Sequence, residues 1–99
     1  MEKWLYVMFI ERGKTYNKIN REMVVKHVEF IRKLDDEGKL VLCGPFKGYP
    51  GVAGMVILKT ESYEEADGIC KSEPFVAGGY AAYKLRALKV GDRENNYLL

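Results

Sequence analysis

The sequence predicts an α+β fold with the element order strand, helix, strand, strand, helix, strand. Three observations carry that expectation. Residues 4–10 and 53–60 are short, dense apolar runs; residues 20–38 switch to a helical period; and glycine or proline punctuates the junctions at 38, 44–45, 48–51 and 74.

Each element follows from local chemistry. Residues 4–10 (WLYVMFI) are aromatic, β-branched or otherwise apolar throughout, and Glu11, Arg12 and Gly13 end the strand. Asn20 supplies an N-cap for a helix in which Met23, Val24, Val28, Ile31 and Leu34 recur on one stripe, with His27 and Phe30 beside it; Gly38 ends it as a C′ glycine. Residues 40–43 form a short second strand running into Gly44-Pro45. Residues 53–60 form a third after the turn region at 48–51, so that the two make a hairpin or a near relative. Ser62 ahead of Glu64 and Glu65 marks a second helix start; Ala66, Ile69 and Cys70 give it an apolar side, and Pro74 bars its continuation. Residues 80–90 alternate as a last strand, with Ala81, Tyr83, Leu85 and Ala87 on one side and Tyr80, Ala82, Lys84, Arg86 and Leu88 on the other. Residues 1–90 thus read as one domain. Residues 91–99 read as a polar, mobile tail whose last three residues, Tyr97-Leu98-Leu99, can dock on a partner subunit.

This order is the split βαβ or ferredoxin-like βαββαβ arrangement, in which right-handed crossovers set both helices on one face of a four-stranded antiparallel sheet. The other face is then uncovered. Yet in the first strand Trp4, Tyr6, Met8 and Ile10 point one way while Leu5, Val7 and Phe9 point the other, and residues 55–58 are likewise apolar on both sides. A face left in water alternates polar with apolar, so something is expected to cover this one. A second copy of the same sheet is the simplest cover, giving a two-fold homodimer. Burying roughly 600 Å² of apolar surface per subunit, at about 25 cal/mol per Å², contributes on the order of 15 kcal/mol before association costs.

Composition narrows the partners. At 47% hydrophobic and 30% charged the chain has the balance of a folded globular domain rather than of a disordered one. Its 16 Lys and Arg are interspersed with 14 Asp and Glu, a net charge of +2 with no concentrated positive patch, which argues against nucleic acid. The third strand also lacks the basic-glycine-aromatic motif by which ferredoxin-like domains stack RNA bases. No leader-like segment and no run of about 18 apolar residues is present, so no membrane partner is expected and a cytoplasmic location is. Cys43 and Cys70 have no CxxC spacing and a single histidine cannot complete a zinc set; no metal and no disulfide are expected. Cys43, inside an apolar run, is expected to be buried, and Cys70 to pack near a helix end.

His27 is the one histidine, and it falls where the helix pattern calls for an apolar residue. Imidazole titrates near neutrality, so beside a groove it can give or take a proton; a hydrogen-bonded packing role fits the same position.

The segments HVEFIRKLDDEGKLVLCGPF (27–46) and SEPFVAGGYAAYKLRAL (72–88) resemble the YCII-related family. The marks are the helical histidine, the glycine after the helix, the Gly44-Pro45 pair and the acidic-Pro-Phe-Val segment before the last strand. The resemblance implies a dimeric α+β barrel, in which ferredoxin-like subunits pair by their sheets. It also implies a histidine–aspartate active-site pair and kinship with a dehydrochlorinase of chlorinated hydroxyhydroquinones and with muconolactone-isomerase-like enzymes. His27 matches the histidine. Glu73 stands where the family commonly has aspartate, one methylene longer, and Asp35 and Asp36 are rival acids in the helix's final turn.

On this reading the protein is a small-molecule enzyme without a cofactor. His27 is the general acid/base and Glu73 its orienting partner. The ligand is a hydroxylated or chlorinated ring held by Tyr6, Phe46, Phe75 and Tyr80, with Gly44 and Pro45 letting the backbone near an oxyanion. The alternative is a non-catalytic ligand-binding or dimeric interaction module; a haem role, known in the wider fold group, would show as a Soret band.

Overall fold

The computed structural model describes residues 2–99. β1 (Trp4–Arg12) passes through a 3₁₀ turn (Tyr16–Lys18) into α1 (Arg21–Asp36). β2 (Leu40–Pro45), β3 (Val52–Leu58), α2 (Tyr63–Ser72), a one-turn helix α3 (Pro74–Ala77) and β4 (Ala81–Lys89) follow, and a second 3₁₀ turn (Asn96–Leu98) lies near the end. The strands form one antiparallel sheet in the order β2-β3-β1-β4, the ferredoxin-like arrangement with helices over one face.

The strand pattern expresses the two faces directly. Tyr6, Met8 and Ile10 of β1 are buried beneath the helices together with Val56, Leu58 and Leu85. Their neighbours Leu5, Val7 and Phe9 point the other way and are only partly covered. Across the strands, Val7 pairs with Ile57 and Phe9 with Met55, so the open face carries an apolar centre, and Lys84 and Arg86 of β4 flank it. Leu42 of β2 and Leu88 of β4 extend the apolar surface and are about half exposed.

Caps define the helices. Asn20 accepts from Met23 N–H at the start of α1. At its end the Gly38 and Lys39 N–H groups reach back to the Asp35 and Leu34 carbonyls, a closure that needs the left-handed backbone Gly38 adopts at φ 74°. Ser62 caps α2 through Glu65 N–H. Pro74 does stop α2, but it also opens α3: at the first helical position its missing N–H costs nothing.

Two expectations need correcting. Val24 and Val28 of α1 do not face the core but are 44% and 45% exposed; the inward row is Met23, His27, Phe30, Ile31 and Leu34, and only Leu34 is buried. A helix turns about 100° per residue, so tying His27 inward swings positions 24 and 28 sideways. The tail also differs from a mobile one. Asn95 closes a turn by exchanging bonds with Asp92 and donating to the Val90 carbonyl, Tyr97 N–H returns to the Asp92 carbonyl, and Lys3 meets Asp92 and Glu94. Seven of the tail's nine residues, all but Asp92 and Asn95, are nonetheless exposed. Among the described residues no helix is long and apolar enough to cross a membrane.

A candidate active site beside the first helix

Glu73 stands between α2 and α3 as the N-cap of α3. Its carboxylate accepts the Phe75 N–H at 3.0 Å and the Val76 N–H at 3.2 Å. Oε2 also lies 2.8 Å from His27 Nδ1, while the Glu73 side chain has no solvent exposure at all. A glutamate held before a proline at a helix end would ordinarily be solvated; this one curls back over the helix it starts, which absorbs the methylene that distinguishes it from aspartate. Asp35 and Asp36, in the exposed last turn of α1, are not part of the pair.

An ionised carboxylate only accepts, so on the neutral ring its contact assigns the proton to Nδ1 and leaves the Nε2 lone pair free. No described residue hydrogen-bonds Nε2. The imidazole is 22% exposed and lies against the Phe75 ring with centroids 4.6 Å apart and planes 9° from parallel. One ring nitrogen is thereby fixed and the other is available.

His27 borders a cleft of about 540 Å³ enclosed by the first half of α1, the 3₁₀ turn and the adjoining ends of β2 and β3. That size suits a small ring compound. Ile10, Ala53, Val56 and Phe75 supply much of its apolar wall; Tyr16, Asn17, Cys43 and His27 are the polar side chains on it, and among the described residues no Lys, Arg, Asp or Glu lines it. Beneath the cleft the backbones of β2 and β3 approach so closely that a Cβ on Gly54 would lie 2.7 Å from the Gly44 carbonyl oxygen, so only glycine fits there.

Of the residues expected at the site, His27, Gly44, Pro45 and Phe75 line this cleft, and Glu73 stands behind His27. Tyr6, Phe46 and Tyr80 do not. Tyr6 is buried in the core with its ring edge-on to Tyr63. Phe46 stacks on Phe9, on the open side of the sheet, and its N–H is already used by the Ala53 carbonyl, so it is not an oxyanion donor. Tyr80 packs its ring against Gly78, while its carbonyl accepts the Gly13 N–H.

Three of the polar lining residues, Tyr16, Asn17 and Cys43, were not anticipated as such. Tyr16 and Asn17 sit in a turn with no hydrophobic period to single them out; their position just ahead of the α1 cap was the available signal. Cys43, expected to be buried, is exposed in the cleft because β2 is an edge strand over which α1 does not close. Cys70 is the buried thiol, and burial pushes it up to about 12. Among the described residues no three His, Cys, Asp or Glu side chains gather as a metal-holding set.

Comparison with known proteins places this geometry in a family. The model of the YCII-related domain matches residues 4–89. An uncharacterized protein of Bacillus subtilis, YjpA, is 32% identical over 87 residues, covering 88% of this chain and 96% of that one. The fold is similar to that of the 5-chloro-2-hydroxyhydroquinone dehydrochlorinase TftG from Burkholderia phenoliruptrix, solved in complex with 2,5-dihydroxybenzoquinone. The TM-score is 0.72 at 16% identity, over 93% of this chain and 99% of that one. With the family model spanning all four strands and the principal helices, the chain belongs to the YCII-related domain family.

Proposed function

We propose that this protein is a small-molecule enzyme in which His27 Nε2 is the general acid/base and Glu73 holds its ring. The observation that carries the reading is the fully buried carboxylate whose one side-chain partner is the imidazole at the cleft wall. Burying a carboxylate is unfavourable unless its bonds are made, and here they are made by two backbone N–H groups and a histidine that keeps its second nitrogen for a ligand. The substrate is a hydroxylated or carbonyl-bearing ring, chlorinated in the case closest to the structural neighbour's reaction. His27 takes a proton from the activated ring; the electron pair so released forms an enolate or phenolate. The imidazolium returns the proton at a ring carbon, which completes an isomerisation; where that carbon bears the chlorine it becomes tetrahedral, and a second deprotonation of the ring then forms the new double bond as chloride departs with the C–Cl pair. Neither outcome needs an electron acceptor.

The reading includes a homodimer through the open sheet faces, because Leu5, Val7, Phe9, Met55 and Ile57 form a central apolar surface that water covers poorly. Light scattering checks this: Val7→Lys is expected to yield monomers, and a wild type that is monomeric at micromolar concentration would remove this part of the proposal.

The activity is tested by incubating the protein with 5-chloro-2-hydroxyhydroquinone and a panel of hydroxylated rings, following chloride release and solvent deuterium incorporation. Wild-type turnover with a loss of about 10²- to 10⁴-fold in His27→Gln is the expected result. Ligand binding without turnover in the wild type would instead make the domain a binding module.

A further inference from the structure

We infer that Phe75 is a positioning residue for the His27 base, acting through the imidazole rather than on the reacting atoms; the inference rests on the proposed role of His27. A single hydrogen bond to Glu73 fixes where Nδ1 points but tolerates a roll of the ring by tens of degrees, because hydrogen bonds weaken slowly over such angles. A flat face at stacking distance removes that freedom. The Phe75 ring supplies it at 4.6 Å and 9°, itself 7% exposed and so unable to swing aside.

Phe75 is held from two further directions. The Tyr16 ring meets it edge-on at 6.2 Å and 78°, and the Arg12 guanidinium lies 5.6 Å from the centre of that Tyr16 ring. The Phe75 N–H is also a donor to the Glu73 carboxylate. One residue thus fixes the acid through its backbone and the imidazole through its side chain. The run Glu73-Pro74-Phe75 encodes this arrangement: proline presets the first helical position, the capping carboxylate takes the N–H groups of the second and third, and the second carries the stacking ring. The same ring covers one face of the imidazole and hinders water from reaching the Nδ1–Oε2 bond.

The consequence is a restricted tautomer. With Phe75 in place the proton resides on Nδ1 and Nε2 stays a base; without the flat face the imidazole rolls, water competes for Nδ1, and both tautomers populate.

The test is ¹⁵N and ¹H NMR of the imidazole in the full-length protein, a clean probe because His27 is the one histidine. Wild type is expected to show a single Nδ1–H tautomer with a slowly exchanging ring proton. Phe75→Leu, folded by circular dichroism, is expected to exchange that proton at least about tenfold faster and to show mixed tautomers, with Phe75→Tyr restoring the wild-type spectrum. Should Phe75→Leu not fold, Phe75→Met provides the comparison, since it keeps most of the volume without a flat face. Where turnover is measured, kcat is expected to fall more than KM rises. An unchanged tautomer and exchange rate in the folded Leu or Met variant would overturn the inference while leaving the proposed base intact. A wild-type spectrum with the proton on Nε2 would overturn both, and absence of turnover with the Nδ1–H signal present would remove only the enzymatic reading.

Discussion

The two long helices lie on the same sheet face and use it differently. α2 presents Ala66 and Cys70, both with no exposure, so its axis comes close to β1 and β4 and the space beneath is sealed by Met8, Leu58 and Leu85. α1 is longer, yet buries only Leu34; its earlier inward positions are Met23, His27 and Phe30, larger side chains that hold the helix off the sheet edge and leave the cleft. Small residues at a helix–sheet contact close it, and large or polar ones prop it open. The domain is thus tightly packed at one end and keeps its cleft at the other.

The widest gap between the two ends is expected in core truncation. Leu58→Ala, at a fully buried position, should lose about 2–5 kcal/mol, because a cavity there has no room to collapse. Val24→Ala, 44% exposed at the cleft, should change stability by no more than about 0.5 kcal/mol. Urea unfolding at fixed protein concentration measures both. Comparable losses would mean that the cleft end is as tightly packed as the α2 end.

Next in size is the acid behind His27. Glu73→Ala strands the Phe75 and Val76 N–H groups in a dry site, and should cost about 2–3 kcal/mol. Asn20→Ala removes a solvent-reachable cap from α1 and should cost about 1 kcal/mol. Equal losses from the two caps would show that water reaches Glu73 after all, and would weaken the pairing on which the proposed function depends.

The same contrast explains what could be read in advance. Element order and both principal caps were legible, because Asn20, Ser62, Gly38 and Pro74 act on their own neighbours. So was the pairing of residues 46 apart, His27 with Glu73, which came from family resemblance; no local pattern reports a contact across that distance. The cleft wall was less legible. Whether an aromatic residue faces cleft, core or open sheet depends on strand parity and on how far α1 stands off, so Tyr6 and Phe46 went astray while Phe75 did not. Cys43 failed for the same reason: an apolar run marks a strand, but not whether that strand is an edge.

The two cysteines convert the contrast into a rate. Cys43 should react with a maleimide while the protein is folded, and Cys70 only on opening of the α2 contact, at a rate lower by about a hundredfold or more. Mass spectrometry of partly labelled protein distinguishes the sites. Early modification of Cys70 would mean that α2 opens as readily as the cleft.

The smallest effect belongs to a polar clasp at the sealed end, where the Tyr83 hydroxyl of β4 donates to Asp67 of α2. The bond holds the Asp67 carboxyl below its ordinary value of 3.8 and pushes the Tyr83 phenol up from 10.0 to about 12, because the donor must stay protonated and the acceptor ionised. A lowered acid contributes stability that is complete above 3.8 and lost as pH falls through its folded value. A raised phenol contributes stability that is complete below 10.0 and lost as pH climbs towards about 12. Tyr83→Phe should therefore be less stable than wild type by a small, constant margin between about pH 5 and 9, narrowing at both ends. Cys70, raised from 9.0 to about 12 by burial, adds its own alkaline loss. That loss occurs in both proteins and cancels from their difference. Urea midpoints from pH 3 to 11 give the curve, and a margin that fails to narrow would show that the clasp contributes through packing of the ring rather than through its proton.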